Sequence, residues 1–329
     1  MITLLLILLV ALGYSFFLQK EMPKYLSLQR TDLLKAIFPF VIIIHHISFK
    51  TTEMPLMDFR YAGPYVVGIF FYLSGYGLEY KYKKGNLVLK DLGKRLKALF
   101  IPLLLPLFVY SLLTLPFQEN IVQHIYLTVK EVNFYLPCTW FIVILLLLYV
   151  AYYCLRTQIK SFSLFIVAIT CFLLILMGVL YKIGASGTCY VSNFAFLLGI
   201  LGQHVERKYL LRESKCLLIL SLLLLVVISF AYVRGFPPFQ GFALLGVSLF
   251  VPSFFIAYQY VEVPFANHTY VRFCKNLSYE MYLCQGISFL VLDKIGVQNL
   301  ILYTVVCLLF NMGLAVGVQR ITQRLFYHR

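Results

Sequence analysis

The segment Thr31–His46 reads T-D-L-L-K-A-I-F-P-F-V-I-I-I-H-H and combines apolar residues with several ionisable ones. With the next residues it forms a mainly apolar run over 31–49, about as long as an α-helix needs to cross the hydrocarbon core of a bilayer. Ionisable side chains inside such a helix are costly unless they face a cavity or a partner. The stretch therefore predicts a membrane helix that carries functional groups.

The composition of the whole chain also indicates a membrane protein. Of 329 residues, 61% are apolar and 12% are charged, and the mean hydropathy is +0.87. Soluble proteins are about half apolar and a quarter charged. The net charge of +15 does not indicate nucleic acid as a partner, because the basic residues stand in short clusters between apolar runs.

Apolar runs of membrane-spanning length fill nearly all of the chain. At about 20 residues per span, the sequence predicts an all-α integral membrane protein with about eleven transmembrane helices. The predicted spans are 1–18, 31–49, 62–79, 97–116, 139–155, 162–181, 189–203, 216–233, 239–260, 278–292 and 298–318.

The basic residues alternate between the connecting segments. Every other connection is rich in lysine and arginine, and these connections hold 22 of the 28 basic residues, against 6 in the connections between them. The positive-inside rule places the rich set in the cytoplasm. The alternation therefore supports the predicted order of spans and predicts a cytoplasmic C-terminus.

The first apolar run differs from a cleaved signal peptide. No basic residue precedes it and no small-residue cleavage site follows it. We predict an extra transmembrane helix; the alternative is a helix lying at the interface. The predicted organisation is 1–20 for this helix, 28–320 for a ten-helix membrane domain and 321–329 for a basic cytoplasmic tail.

The cysteines do not form a metal-binding pattern. The eight cysteines include no CxxC pair and no His-rich cluster, and most lie in apolar stretches, where a thiol behaves as a small hydrophobe. We therefore predict no metal. Cys138 and Cys189 both fall near predicted outer ends of spans, so a disulfide between them is one alternative.

Lys35 and His46 share one face of the predicted second span. They are eleven residues apart, about three turns, so their side chains project from the same side roughly 16 Å apart along the axis. Asp32 precedes Lys35 by three residues, within reach of an ion pair. Pro39, which lies between Lys35 and His46, should kink the helix and free a backbone carbonyl. This pattern is typical of a cavity-lining helix; the alternative is that the polar groups are interfacial anchors.

Later spans carry further small, basic and aromatic residues. The segment Gly68–Gly75 reads G-I-F-F-Y-L-S-G, and its small residues predict close helix packing. The basic segment Lys90–Lys97 is typical of a cytoplasmic loop. Trp140 opens the fifth span at an interface, and Tyr279 and Glu280 begin the tenth.

The order of these segments resembles the acyltransferase type 3 family, polytopic bacterial enzymes that O-acylate cell-surface saccharides and glycolipids. The resemblance covers about residues 28–318. In chain order, the matching residues are Asp32, Lys35 and His46; Phe70, Phe71, Leu73, Ser74 and Gly75; Lys94, Arg95 and Pro102; Trp140 and Phe141; and Ser278, Tyr279, Tyr282 and Leu283.

Two positions depart from the family pattern. Lys35 stands where the family most often has arginine, and lysine keeps the charge but lacks the bidentate fork. Gln285 stands where the last motif usually continues to a histidine, so no proton-transfer role is carried over to it. The family is usually described with ten core helices, so the run 1–18 is an addition.

The resemblance implies an acyl-coenzyme A donor, most often acetyl, with no further cofactor. It also implies a saccharide or glycolipid acceptor and a bacterial plasma (inner) membrane location. On this hypothesis His46 is the general base for the acceptor hydroxyl and Asp32 positions Lys35, while an acyl-histidine intermediate is an open alternative. Phosphate binding falls to Lys35, Lys94, Arg95 and Lys97. The remaining expected substrate-binding residues are Ser74, Trp140, Tyr279 and Glu280.

Two other classes of protein compete with an enzyme. A transporter or flippase of a lipid-linked saccharide would use the same histidine and lysine as a polar pathway, but the sequence shows no inverted repeat. A structural membrane scaffold would need neither side chain.

Overall fold

The part of the chain that the structure describes is mainly helical. The computed structural model describes residues 26, 28–51, 56–85, 87–115, 121–205, 214–233, 240–258 and 268–327. These residues contain no β-strand, and two short 3₁₀ segments (Leu56–Phe59 and Gly187–Cys189) lie between helices. The α-helices in these ranges are α1 (Leu28–Ser48), α2 (Ala62–Lys83), α3 (Leu89–Thr114), α4 (Ile121–Lys130), α5 (Trp140–Gln158), α6 (Phe162–Lys182), α7 (Phe194–Val205), α8 (Ser214–Val233), α9 (Gln240–Tyr258), α10 (Thr269–Ile295) and α11 (Leu300–Thr322).

The helices follow the apolar runs of the sequence. Each of the ten runs predicted between residues 31 and 318 falls on one helix, and the ten-residue α4 is an addition too short to register as a span. The run 1–18 lies outside the described residues. The predicted tail, 321–329, begins inside α11, which continues into a π-helical turn at Gln323–Tyr327.

Within the described ranges, five helical segments are long and apolar enough to cross a membrane, as expected of a multi-pass membrane protein. The count of eleven crossings stays a prediction. The five segments are Arg30–Ser48, Leu89–Thr114, Trp140–Gln158, Phe162–Lys182 and Leu300–Phe326.

Helices α1 and α10 run side by side in the same direction. Asp32 is ion-paired with Lys275 near their beginnings, and Lys50 is ion-paired with Asp293 at 2.5 Å near their ends. Both pairs join residues 243 apart in sequence, so the two helices stay in one register along their length. Apolar side chains that are almost fully buried fill the contact between them: Ile43, Ile47, Leu277 and Met281.

Helices α2 and α7 pack closely because glycines face backbone atoms. A Cβ atom at Gly75 would collide with the carbonyl oxygen of Phe196, and one at Gly199 with the carbonyl oxygen of Tyr72. The packing role predicted for the small residues of the third span is therefore confirmed at Gly75. This contact fixes the position of α2 relative to α7.

The close approach predicts unequal effects of two glycine substitutions. Gly199→Ala should lower the free energy of unfolding by about 1–3 kcal/mol, because the added methyl group forces backbone apart. Gly77→Ala on α2 is the control: nothing lies within 4 Å of its added Cβ, and alanine favours a helix. Thermal denaturation of the detergent-solubilised variants measures both, and equal stability of the two would contradict the packing described above.

Candidate active site

A cavity of about 740 Å³ lies among α1, α2, α3, α5, α10 and α11. On α1 it is lined by Lys35, Pro39 and Ile42, which follow one another at the spacing of a single helical face. Ser74 lines it from α2, one turn beyond Phe70. On the face of α1 that the sequence predicted to line a cavity, Lys35 therefore does so but His46 does not, and the helix continues through Pro39.

One end of the cavity is cationic. The Lys35 and Lys275 side chains, 45% and 25% exposed, line it together with the amide side chain of Gln319. Asp32 lies 4.0 Å from Lys35 but is hydrogen bonded to Lys275. The carboxylate thus positions both lysines. The sequence analysis counted Lys275 only among the basic residues that predict membrane orientation, so it missed this site residue.

The other end of the cavity is mainly apolar and aromatic. Phe141 and Tyr282 line it in an edge-to-face contact, with ring centroids 5.5 Å apart. The Glu280 side chain also reaches the cavity, although this residue is only 9% exposed. A long substrate that is charged at one end and apolar along its length matches this division.

His46 lies just behind the aromatic end and does not itself line the cavity. Its Nδ1 atom is 4.0 Å from the sulfur of Cys138. The Tyr282 hydroxyl, which belongs to the cavity wall, donates a hydrogen bond to the carbonyl oxygen of Cys138. One side chain therefore connects the cavity to the residue that touches His46.

The predicted substrate-binding residues divide into two groups. Ser74, Tyr279 and Glu280 line the cavity. The others are Lys94, which is largely exposed beside Asp91, Arg95, which lies over the Tyr149 ring, Lys97, which is exposed, and Trp140, which contacts Phe141.

Lys94, Arg95 and Lys97 on α3 stand close to the cavity without lining it. They immediately precede Ala98, which does line it. Gln285, where the family pattern usually has a histidine, is fully buried on α10, and its amide makes no hydrogen bond within the described residues.

A second buried polar cluster joins α2, α5 and α7 away from this cavity. The Glu79 carboxylate lies 2.9 Å from the Arg156 guanidinium, 2.9 Å from Nε2 of His204 and 2.6 Å from the Tyr152 hydroxyl. Glu79 ends a predicted span, and no spacing in the sequence indicates partners that lie 73 to 125 residues away. The sequence analysis therefore missed this cluster.

The cysteines test the disulfide alternative that the sequence left open. Cys138 and Cys189 are free thiols, so the alternative of a disulfide between them is not realised. Among the described residues, no three His, Cys, Asp or Glu side chains are grouped as metal ligands.

Comparison with known families agrees with the arrangement. A family model described as an acyltransferase domain matches residues 28–320, which include α1 to α10, most of α11 and the cavity between them. No curated protein and no solved structure matches the chain. Because the matched segment is most of the sequence, the chain belongs to the acyltransferase type 3 family and is a membrane acyltransferase.

Proposed function

We propose that this acyltransferase moves an acetyl group from acetyl-coenzyme A to a hydroxyl of a cell-surface saccharide or glycolipid. The observation that carries the proposal is the cavity that begins at Lys35 and ends at the aromatic wall in front of His46. The proposal places the cationic end in the bacterial cytoplasm, because the basic connections of the sequence lie on that side. The C-terminus is then cytoplasmic as well.

The cationic end supports binding of the donor. Coenzyme A carries several phosphate charges, and ammonium groups form short charge-assisted hydrogen bonds to phosphate. Lys35 and Lys275 provide two such groups at the mouth, with Asp32 holding them near one another. Lys94, Arg95 and Lys97 add positive charge one turn before the cavity-lining part of α3. The pantetheine arm then extends along the apolar cavity.

The far end supports the chemical step. The thioester reaches the wall formed by Phe141 and Tyr282, and His46 accepts the proton of the acceptor hydroxyl as a general base. The acceptor approaches from the outer leaflet or the outer surface. This follows because His46 lies near the end of α1, whereas Lys35 lies in the cytoplasmic half of the helix. Ser74, Tyr279 and Glu280 contact the donor or the acceptor inside the cavity.

The direct test is acyl transfer by the purified protein. Detergent-solubilised protein is incubated with acetyl-coenzyme A labelled in the acetyl group and with glycolipids extracted from the membrane. Label released by mild alkali from the glycolipid fraction is the expected result, since an oxygen ester is cleaved under those conditions. A donor that remains fully intact, together with transport of a lipid-linked saccharide by the same preparation in vesicles, would support the transporter instead.

Lys35→Ala should raise KM for acetyl-coenzyme A by about 10-fold or more with little change in kcat, because one charge-assisted hydrogen bond is worth roughly 1.5–3 kcal/mol. Lys35→Arg keeps the charge and should retain most of the affinity. Lys294→Ala, near the opposite end of α10, is the matched control for loss of one positive charge. Steady-state kinetics measure all three, and an unchanged KM in Lys35→Ala would remove Lys35 from the donor site.

A further inference from the structure

We propose that Cys138 is acylated during the reaction and that His46 is its proton-transfer partner. This inference rests on the proposed acyl transfer, and it assigns the covalent intermediate to a residue that the sequence analysis considered only as a possible disulfide partner of Cys189. The reaction then proceeds by two transfers, from the donor to Cys138 and from Cys138 to the acceptor.

The first observation is the contact between a nucleophile and a base. The Cys138 sulfur lies 4.0 Å from Nδ1 of His46, within reach of a thiol-to-imidazole hydrogen bond. A thiol beside an imidazole is one of the common arrangements for nucleophilic catalysis, because the base removes the thiol proton as the sulfur attacks. The two residues come from different parts of the chain, 92 positions apart, so folding alone brings them together.

The second observation is the backbone that presents the thiol. Cys138 has φ of 65°, in the left-handed region that costs a non-glycine residue about 1–2 kcal/mol. The surrounding turn holds this conformation: the Thr139 hydroxyl accepts a hydrogen bond from the Phe134 amide at 2.8 Å and donates one to the Leu136 carbonyl at 2.7 Å. Strain that is held by neighbouring contacts is typical of functional positions.

The third observation is the attachment of this turn to the cavity wall. The Tyr282 hydroxyl donates a hydrogen bond to the Cys138 carbonyl, and the Tyr282 side chain lines the cavity. One turn further along α10, Gly286 leaves room for Pro137, whose Cδ lies 3.3 Å from the place that a Cβ would occupy. The turn therefore packs on α10 behind Tyr282, at the aromatic end of the cavity. The proposal requires the donor thioester to reach the thiol past that side chain, since neither Cys138 nor His46 lines the cavity itself.

The chemistry balances without an oxidant or a further reactant. The Cys138 thiol gives its proton to Nδ1 of His46, and its sulfur attacks the thioester carbonyl carbon. The bond from that carbon to the coenzyme A sulfur breaks, and the leaving thiolate takes the proton from Nδ1. The acceptor hydroxyl next gives its proton to the same nitrogen, and its oxygen attacks the acyl carbon. The bond to the Cys138 sulfur breaks, and that sulfur recovers the proton.

The test is covalent labelling in the absence of acceptor. Wild-type protein, Cys138→Ala, Cys138→Ser and Cys189→Ala are incubated with acetyl-labelled acetyl-coenzyme A, quenched in acid and digested. Cys189 is the matched control, because it is a buried thiol in the same part of the chain that bonds to the Glu131 carbonyl instead. Gel-filtration profiles show whether each variant is folded.

The expected result is a thioester on the peptide that contains Cys138 in the wild type and in Cys189→Ala, cleaved by neutral hydroxylamine, and no such label in Cys138→Ala. Cys138→Ser replaces the sulfur with oxygen in the same volume and should hold the acetyl group as an ester that turns over at least about 10-fold more slowly. Transfer to acceptor should show parallel-line kinetics. The double variant Cys138→Ala/His46→Ala should be about as slow as either single variant, because the two residues act as a unit.

Three outcomes would overturn the proposal that Cys138 carries the acyl group. They are label on another residue, the absence of covalent label from a wild-type protein that transfers acetyl groups, and a Cys138→Ala rate within about threefold of the wild type. In each case transfer to the acceptor by the wild type preserves the proposed function. Failure of the wild type to transfer any acetyl group would overturn both.

Discussion

His46→Ala is expected to slow acyl transfer by about 10²–10⁴-fold, the range that a positioned acid–base group contributes. The variant should still insert and fold, because within the described residues the hydrogen-bond partner of the imidazole is the Cys138 sulfur, at the long distance of 4.0 Å. The loss should appear in kcat, with KM for acetyl-coenzyme A nearly unchanged, since Lys35 and Lys275, the proposed donor-binding residues, lie at the other end of the cavity. Steady-state assays with labelled donor measure both constants.

Two matched variants make the result interpretable. His46→Gln keeps a polar side chain of similar size but cannot accept and return a proton near neutral pH, so it should be about as slow as alanine. His268→Ala removes an exposed histidine whose ring contacts Tyr270, and it should transfer acetyl groups at the wild-type rate. Activity of His46→Ala within threefold of the wild type would remove the imidazole from the mechanism.

Glu79→Ala is expected to lower the free energy of unfolding by about 3–5 kcal/mol, because it leaves the buried Arg156 guanidinium without its carboxylate partner. The Glu79 and Arg156 side chains are 0% and 4% exposed, so water cannot replace the lost interaction. The apparent melting temperature should fall by on the order of 10 °C. Thermal unfolding in detergent, followed by loss of soluble protein, measures the change.

Asp91→Ala is the control for removing an acidic side chain. Asp91 pairs with Lys81 at 2.5 Å, but both side chains are partly exposed, so the loss of stability should be much smaller than in Glu79→Ala. The double variant Glu79→Leu/Arg156→Met removes both charges and should recover most of the stability. If Glu79→Ala were as stable as Asp91→Ala, the cluster would not hold α2, α5 and α7 together.

The helices of this protein are predictable because each depends on a local property. A run of about 20 apolar residues is a sufficient condition for a membrane helix, and the runs fall on helices wherever the structure describes them. The short α4 was missed because its ten residues are too few to give such a signal. Close packing at Gly75 was also predictable from the sequence, since small residues on one face allow two helices to approach.

The site was only partly predictable, because its contacts join distant parts of the chain. The eleven-residue spacing placed Lys35 and His46 on one face, and the order of motifs pointed to Ser74, Tyr279 and Glu280. Lys275 could not be assigned, because its pairing with Asp32 spans 243 residues.

The contact of Cys138 with His46 was hidden for the same reason. It depends on a left-handed turn whose hydrogen bonds leave no pattern in the sequence. The roles of all these residues in catalysis stay predictions that the variants above test.

The fixed register of α1 against α10 sets a limit on what the cavity accepts. An ion pair at each end and almost fully buried isoleucines between them mean that neither helix can slide by even one residue, about 1.5 Å, without breaking contacts at both ends. The distance along the cavity from Lys35 on α1 to Tyr282 on α10 is therefore expected to stay constant. Under the proposed function, a donor with a longer acyl chain would need room on the side of the cavity that α2 and α5 form, and exchanging side chains there should change the acyl length that is accepted.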